Sequence, residues 1–312
     1  MTQVRAETSP VELQIDARDW SRLVFLSVLW GGTFFFTGVA LKELPPLTLV
    51  FLRLSIATLI LLPLLWINGI KFPVGVAGWQ PYAVMAFINN VIPFSLIVMA
   101  QTYIPSGLAS VVNATTPVFT VLVAAAFGEE KLIFRRVAGV LLGLLGVAVL
   151  KGYDFDITSR QSIGIALCLG ATLCFGFSAL WATRKLAGSP PIGTATFQLI
   201  SASLMMLVLA SVIDRPWQLQ MPGLATWAAI LGLASLSTAL AFIIFFQIVI
   251  RSGASNVMLV TLLVPVSAIL LGYFILGERI ELREIIGALI IGSALLVMDG
   301  RIFRLLGRSG VA

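Results

Sequence analysis

Residues 45–53 read PPLTLVFLR, and residues 190–198 read PPIGTATFQ. Each stretch is a proline pair leading into an apolar run, with Arg53 and Gln198 both seven residues after the second proline. The correspondence continues in both directions. Gln101 and Gly107 return as Gln247 and Gly253, Pro117 as Pro265, Gly128-Glu129 as Gly277-Glu278, and Gly139 as Gly287. The offset drifts only from 145 to 149 residues along the series, so the pairs mark one duplicated unit rather than scattered coincidences. Each unit holds five apolar segments. Five is odd, so the second unit must enter a membrane from the side opposite to the first, which is the inverted-repeat plan of secondary transporters.

The composition requires that membrane. Of the 312 residues 59% are hydrophobic and 11% charged, against roughly 45–50% and 25% in soluble chains. A soluble globular domain and a disordered chain are both excluded. The apolar residues fall in long continuous runs, which argues for helices and against the short period-two strands of a barrel. The expected fold is therefore all-α and polytopic: ten transmembrane helices, as two inverted five-helix repeats around a central cavity. The spans are placed at 22–41, 47–67, 79–100, 106–127, 133–150, 162–183, 191–213, 224–250, 254–276 and 283–299, with turn residues between them. Residues 1–21 and 301–312 are polar tails, 22–150 the first repeat, 151–161 a connecting loop and 162–300 the second repeat. Spans five and ten have uninterrupted apolar cores of only 14 residues, Val137–Leu150 and Ile285–Met298, whereas crossing takes about 20. With ten spans and the N-terminus inside, 13 Lys/Arg lie on the inner side and 6 on the outer. Dropping the two short spans gives 15 and 4. Either split puts the N-terminus in the cytoplasm. The net charge of +6 thus marks cytoplasmic loops, not a nucleic-acid partner.

These residues resemble the drug/metabolite transporter superfamily, in particular chains carrying two EamA-type repeats. The resemblance rests on Leu29-Trp30-Gly31, on Phe51-Leu52-Arg53, and on the two Gly-Glu pairs with Gly139 and Gly287 behind them. It covers roughly residues 22–300 and is nearest to amino-acid exporters of the YddG type. It implies ten helices, both termini cytoplasmic in a bacterial inner membrane, and a cavity lined mainly by spans 1, 3, 4, 6, 8 and 9.

The interior chemistry is sparse. There is no histidine, so the commonest general base and proton shuttle is missing. All 14 acidic residues fall in tails, loops or span ends, which leaves no mid-membrane carboxylate to relay protons or hold a lipophilic cation. A neutral, weakly coupled path is expected over proton-driven multidrug export, the alternative within the superfamily. An integral-membrane enzyme would need a nucleophile with a base or a carboxylate cluster. Neither is legible, and no cofactor or metal is expected. Cys168 and Cys174 read as small hydrophobes.

Arg53 is the one charge well inside a span. It reads either as a clamp for an anionic group or as a structural charge held by loop carbonyls near the outer interface. Pro93, Pro117 and Pro265 lie inside spans three, four and nine, and a helical proline frees the carbonyl four residues earlier. Those positions are Asn89, Asn113 and Thr261. With Asn90 and Ser237 (and Ser235 and Thr238 beside it) they form a polar belt expected to line the path, the alternative being kinks satisfied by neighbouring helices. Trp30 and Phe34 in span one correspond to Phe177 and Trp181 in span six, and the four are read as an apolar wall for a small zwitterion or as packing aromatics. Gly139, Gly143, Ala288 and Gly292 are expected to bring spans five and ten, or two copies of the chain, close together. The expected partners are a small-molecule substrate and the lipid bilayer, for a monomer or weak homodimer.

Overall fold

Helix starts follow the punctuation of the sequence. Pro46 and Pro191 open their helices at the first helical position, where the missing N–H has no intrahelical partner to lose. The computed structural model describes residues 17–129, 133–152, 159–252 and 260–299. Among these the chain forms ten helical rods and no strand: α1 (Ala17–Ala40), α2 (Pro46–Ile67), α3 (Gly75–Ala100), α4 (Ser106–Ala126), α5 (Phe134–Lys151), α6 (Arg160–Lys185), α7 (Pro191–Ile213), α8 (224–252), α9 (Val260–Leu276) and α10 (Leu282–Asp299). The expected start of the ninth span and Gly253 lie outside the described residues, as do most of the tails and of the 151–161 loop.

Seven rods, α1 to α4 and α6 to α8, are long and apolar enough to cross a membrane, and α9 is apolar but shorter. The chain is thus a polytopic membrane protein. The rods α5 and α10 have 18 residues each and carry three charges apiece at their ends: Arg135, Arg136 and Lys151, then Arg283, Glu284 and Asp299.

Four rods depart from α geometry. Residues Phe87–Val91 of α3, Ser235–Leu240 of α8 and Gly272–Leu276 of α9 form π turns, and α4 breaks after Asn113 before resuming at Thr116. Such turns expose backbone polar groups and side chains that a regular helix would bury in its own ladder. The two inserted in α3 and α8 fall at corresponding places in the duplicated units. Gly128 and Gly277 end α4 and α9 with φ of 75° and 69°, a left-handed conformation that costs glycine least. Glu129 and Glu278 then bond back to Ala124 and Gly272, which closes both helix ends and explains the repeated Gly-Glu.

The rods pack as a set that maps onto itself when each is exchanged with its counterpart five helices away. Thus α1 lies against α8 and α9, α6 against α3 and α4, α2 against α7, and α5 against α10. One apolar cluster joins α2, α3, α7 and α8, and a second joins α1, α4, α6 and α9. Between α5 and α10 the backbones meet through glycine. A Cβ on Gly146 would lie 2.6 Å from Ile291 and 3.1 Å from the Gly287 carbonyl, and one on Gly139 would collide with Met298. Two of the expected contacts are placed differently. Gly143 faces Val118 of α4, and Gly292 faces open space, so the close approach runs through Gly139, Gly146 and Gly287.

Candidate functional site

The helices α2 and α7 pack on each other, α2 also against the π turn of α8 and α7 against the π turn of α3. Arg53 of α2 is buried, with 5% of its surface exposed. Its Nε donates to the Thr238 hydroxyl in the π turn of α8 at 2.9 Å, and its guanidinium lies 4.1 Å from the centre of the Phe94 ring of α3. Neither partner is a loop carbonyl, so the contacts of Arg53 differ from those expected for a structural charge and join α2 to α8 and α3 instead. Gln198 occupies on α7 the place that Arg53 has on α2. It is buried beside the π turn of α3, where Asn90 is fully buried. Among the described residues, both amide atoms of Asn90, Oε1 of Gln198 and the Ser237 hydroxyl are enclosed without a protein partner. Buried polar atoms are rarely left so.

The other residues singled out from the sequence separate into distinct environments. Asn89 faces α6, where the Ser178 hydroxyl donates to its Oδ1 at 2.9 Å. Pro93 is carried by the π turn, since the Ile92 amide bonds to the carbonyl of Phe87, five residues back. The Asn113 carbonyl is not free, because the Thr116 hydroxyl donates to it at 2.7 Å. This corrects the expectation that Pro117 opens that carbonyl to the path, although Oδ1 of Asn113 remains enclosed without a partner among the described residues. Thr261 is half-buried next to the first described residue of α9, and Pro265 is buried within it. The aromatics do not form one wall. Phe34 is in the core, Trp30 packs on Phe245 at 5.6 Å between ring centres, Phe177 is exposed beside Phe127, and Trp181 donates its Nε1–H to the Pro81 carbonyl at 3.0 Å.

The two ends of the bundle differ. At the end carrying the α1–α2, α3–α4, α7–α8 and α9–α10 loops, carboxylates cap helix starts belonging to the other repeat. Asp214 accepts from the Thr48 amide at 2.7 Å and the Thr48 hydroxyl at 3.0 Å. Glu278 accepts from the Ser106 amide at 2.8 Å, the Ser106 hydroxyl at 2.9 Å and the Gly107 amide at 3.1 Å. Glu43 accepts from the Gly223 amide at 2.7 Å. A helix start offers unpaired amides and positive potential, so an anion there is well held.

The opposite ends of α2 and α7 border an open pocket. A cavity of about 600 Å³ is lined by Asn68, Gly69, Ile70, Lys71, Tyr82 and Phe197, among others. Phe72, Trp79 and Tyr82 pack on Phe197 with ring centres 5.2–5.6 Å apart. Sequence reading passed over Phe72, Tyr82 and Phe197. The only signal was that Phe197 adjoins the repeat-marking Gln198. In the duplicated units Asn68 corresponds to Asp214 and Gly193 to Thr48, so the clasp at one end faces an opening at the place equivalent to it.

Hydrogen bonds to Thr226 and to the Gly223 amide hold the Glu43 carboxyl below its ordinary value of 4.5. A depressed carboxylate contributes stability that is complete above its unfolded value and is lost as pH falls through the folded one. Acidification from pH 7 to below about 4 is therefore expected to loosen this clasp. The difference in unfolding temperature between the native chain and Glu43→Gln should shrink over that range, and a difference independent of pH would refute the assignment.

The sequence profile described as the EamA-like transporter family matches residues 21–151 and again 162–298. Similar chains include the uncharacterized transporter YoaV of Bacillus subtilis, 24% identical over 270 residues, covering 86% of this chain and 92% of that one. Protein PagO of Salmonella typhimurium is 25% identical over 271 residues, covering 84% and 86%. The uncharacterized inner membrane transporter YedA of Escherichia coli is 24% identical over 286 residues, covering 90% and 91%. A solved crystal structure shares the fold with a TM-score of 0.63 at 20% identity, over 88% of this chain and 95% of that one.

Proposed function

Because the chain belongs to the EamA-like transporter family, we propose that it is a secondary transporter exporting aromatic or other neutral amino acids, or related small metabolites, by alternating access. In this reading all ten rods cross the membrane as two inverted five-helix repeats, with both termini cytoplasmic. The observation that carries it is the inequality of the two ends. The helices α2 and α7 are clasped at one end by Asp214 and Thr48 and border an open cavity of about 600 Å³ at the other. Exchange between two such arrangements is what inverted repeats provide, and the packing of the rods is the same after the repeats are exchanged.

The substrate class follows from the lining. Buried amides and hydroxyls lie along α3, α7 and α8, and aromatic rings gather at the opening. Apolar walls with a few placed polar groups suit a small neutral or zwitterionic solute. All the carboxylates sit in tails, loops or helix ends, so coupling to protons is weak or missing.

Flux of labelled amino acids from proteoliposomes, measured with and without a pH gradient, tests the reading. Export is expected to run down the amino-acid gradient alone and to fall when Asn113 or Trp181 is changed to Ala. Strict dependence on a pH gradient would remove the uncoupled mechanism. Flux indifferent to both substitutions would remove those residues from the path.

A further inference from the structure

We propose that Arg53, packed on Phe94 and bonded to Thr238, is the recognition residue for a carboxylate group, with the neutral Asn90, Ser237 and Gln198 on the helices packed against α2. The inference rests on the transport reading above and adds the chemical class of the solute to it.

Arg53 makes one protein hydrogen bond, from Nε to Thr238. Its Nη1 and Nη2 have no hydrogen-bond partner among the described residues, nor does any of the ion pairs found there include it. A guanidinium that is 5% exposed and lacks a counter-anion is costly, because charge transferred out of water must be paired or hydrogen-bonded. The arrangement of its neighbours shows what pairs with it. Phe94 covers one face of the planar group at 4.1 Å, and Thr238 fixes its inner edge. What remains is the outer fork, whose two parallel donors match a carboxylate.

The surroundings limit the anion to one charge. Every other group in this layer is neutral: Asn90, one turn before Phe94 on α3, Ser237 beside Thr238, and Gln198 at the position on α7 equivalent to Arg53. A phosphate dianion would need further cations, and none faces Arg53. The neutral groups are the ones with unpartnered atoms, among them the acceptors Oδ1 of Asn90 and Oε1 of Gln198. Such acceptors can receive an ammonium group while Arg53 holds the carboxylate. The open cavity adjoins this layer along the chain. Tyr82 and Phe197 line the open cavity, Gln198 follows Phe197 directly, and Asn90 lies eight residues beyond Tyr82, about 12 Å along the same helix.

Benzoate and benzamide separate charge recognition from shape, and thermal unfolding of the full chain in lipid nanodiscs reads their binding without requiring transport. Benzoate is expected to raise the unfolding midpoint of the native protein and benzamide to leave it unchanged. The Arg53→Gln variant should bind benzoate at least about tenfold more weakly, as loss of a charge-assisted pair requires, whereas Arg53→Lys should keep part of the shift. If Arg53→Gln fails to fold, Thr238→Val and Phe94→Leu carry the test, each expected to weaken benzoate several-fold. Equal shifts with benzoate and benzamide, no shift in the native protein, or a shift untouched by these substitutions would overturn the assignment. Amino-acid flux that persists in that case leaves the transport reading standing. Loss of flux with benzoate binding intact would overturn that reading and leave Arg53 as an anion site.

Discussion

Replacement of Gly146 by Val is expected to prevent stable assembly of the helix bundle, while replacement of Gly292 by Val is expected to change little. Both glycines lie in the α5–α10 pair, and composition does not distinguish them. A Cβ on Gly146 would meet Ile291 at 2.6 Å and the backbone of Gly287 at 3.1 Å, whereas at Gly292 nothing lies within 4 Å. In hydrocarbon the helices gain no hydrophobic driving force by associating, so close van der Waals packing holds them together. Overpacking a tight contact costs about 1–3 kcal/mol in ordinary cores, and a clash with backbone on a facing helix has no side chain that can move aside. The expected result for Gly146→Val is a loss of about 3 kcal/mol or more, read as a lowered unfolding temperature or as aggregation on size-exclusion chromatography in detergent. A Gly146→Val protein as stable as the Gly292→Val protein would show that α5 and α10 are not apposed as described.

That contrast also shows how far the sequence carries. Small residues on the short fifth and tenth segments announced a close helix pair, and Gly139 and Gly287 are in it. The facing of each glycine was not legible, because it depends on how α5 is rotated between α4 and α10. The long apolar runs and the duplicated marks likewise announced the helices, and Pro46 and Pro191 gave the starts of α2 and α7 to within a residue. The π turns were invisible. One extra residue in a turn shifts every later side chain around the axis, and no residue type requires it. Asn89 and Asn90, neighbours in one predicted belt, point to different places, as adjacent residues about 100° apart on a helix do: Asn89 meets Ser178 of α6, and Asn90 is buried in the turn that packs on α7. The aromatic wall failed because Phe34 and Phe177 share a stretch of the duplicated units without being equivalent positions in them, and they have opposite burial.

Substitution of Glu278 by Gln is expected to open the clasped end of the bundle. The Glu278 carboxylate takes three hydrogen bonds from the start of α4, and Gly272 and Gly107 let it approach, since a Cβ on Gly272 would collide with the Glu278 side chain. An amide of the same size can accept at one atom only, so at least one donor is left unpaired and the charge at the helix start is lost. Hydrogen bonds to charged groups contribute about 1.5–3 kcal/mol each, so loss of one favours the unclasped arrangement by roughly tenfold to a hundredfold. Leu108, 2% exposed in the first turn of α4 behind the clasp, reports the change. In a chain whose Cys168 and Cys174 are replaced by Ala, a cysteine at 108 should react slowly with a water-soluble maleimide. With Glu278→Gln it should react at least about tenfold faster, while a cysteine at Asn68, beside the open cavity, should become less accessible if the two ends alternate. Faster labelling at 108 with no change at 68 would mean that the clasp is a local helix cap. Opposite changes at the two positions would tie it to one equilibrium, in which the Asp214–Thr48 contact between α2 and α7 opens as the cavity at their other ends closes.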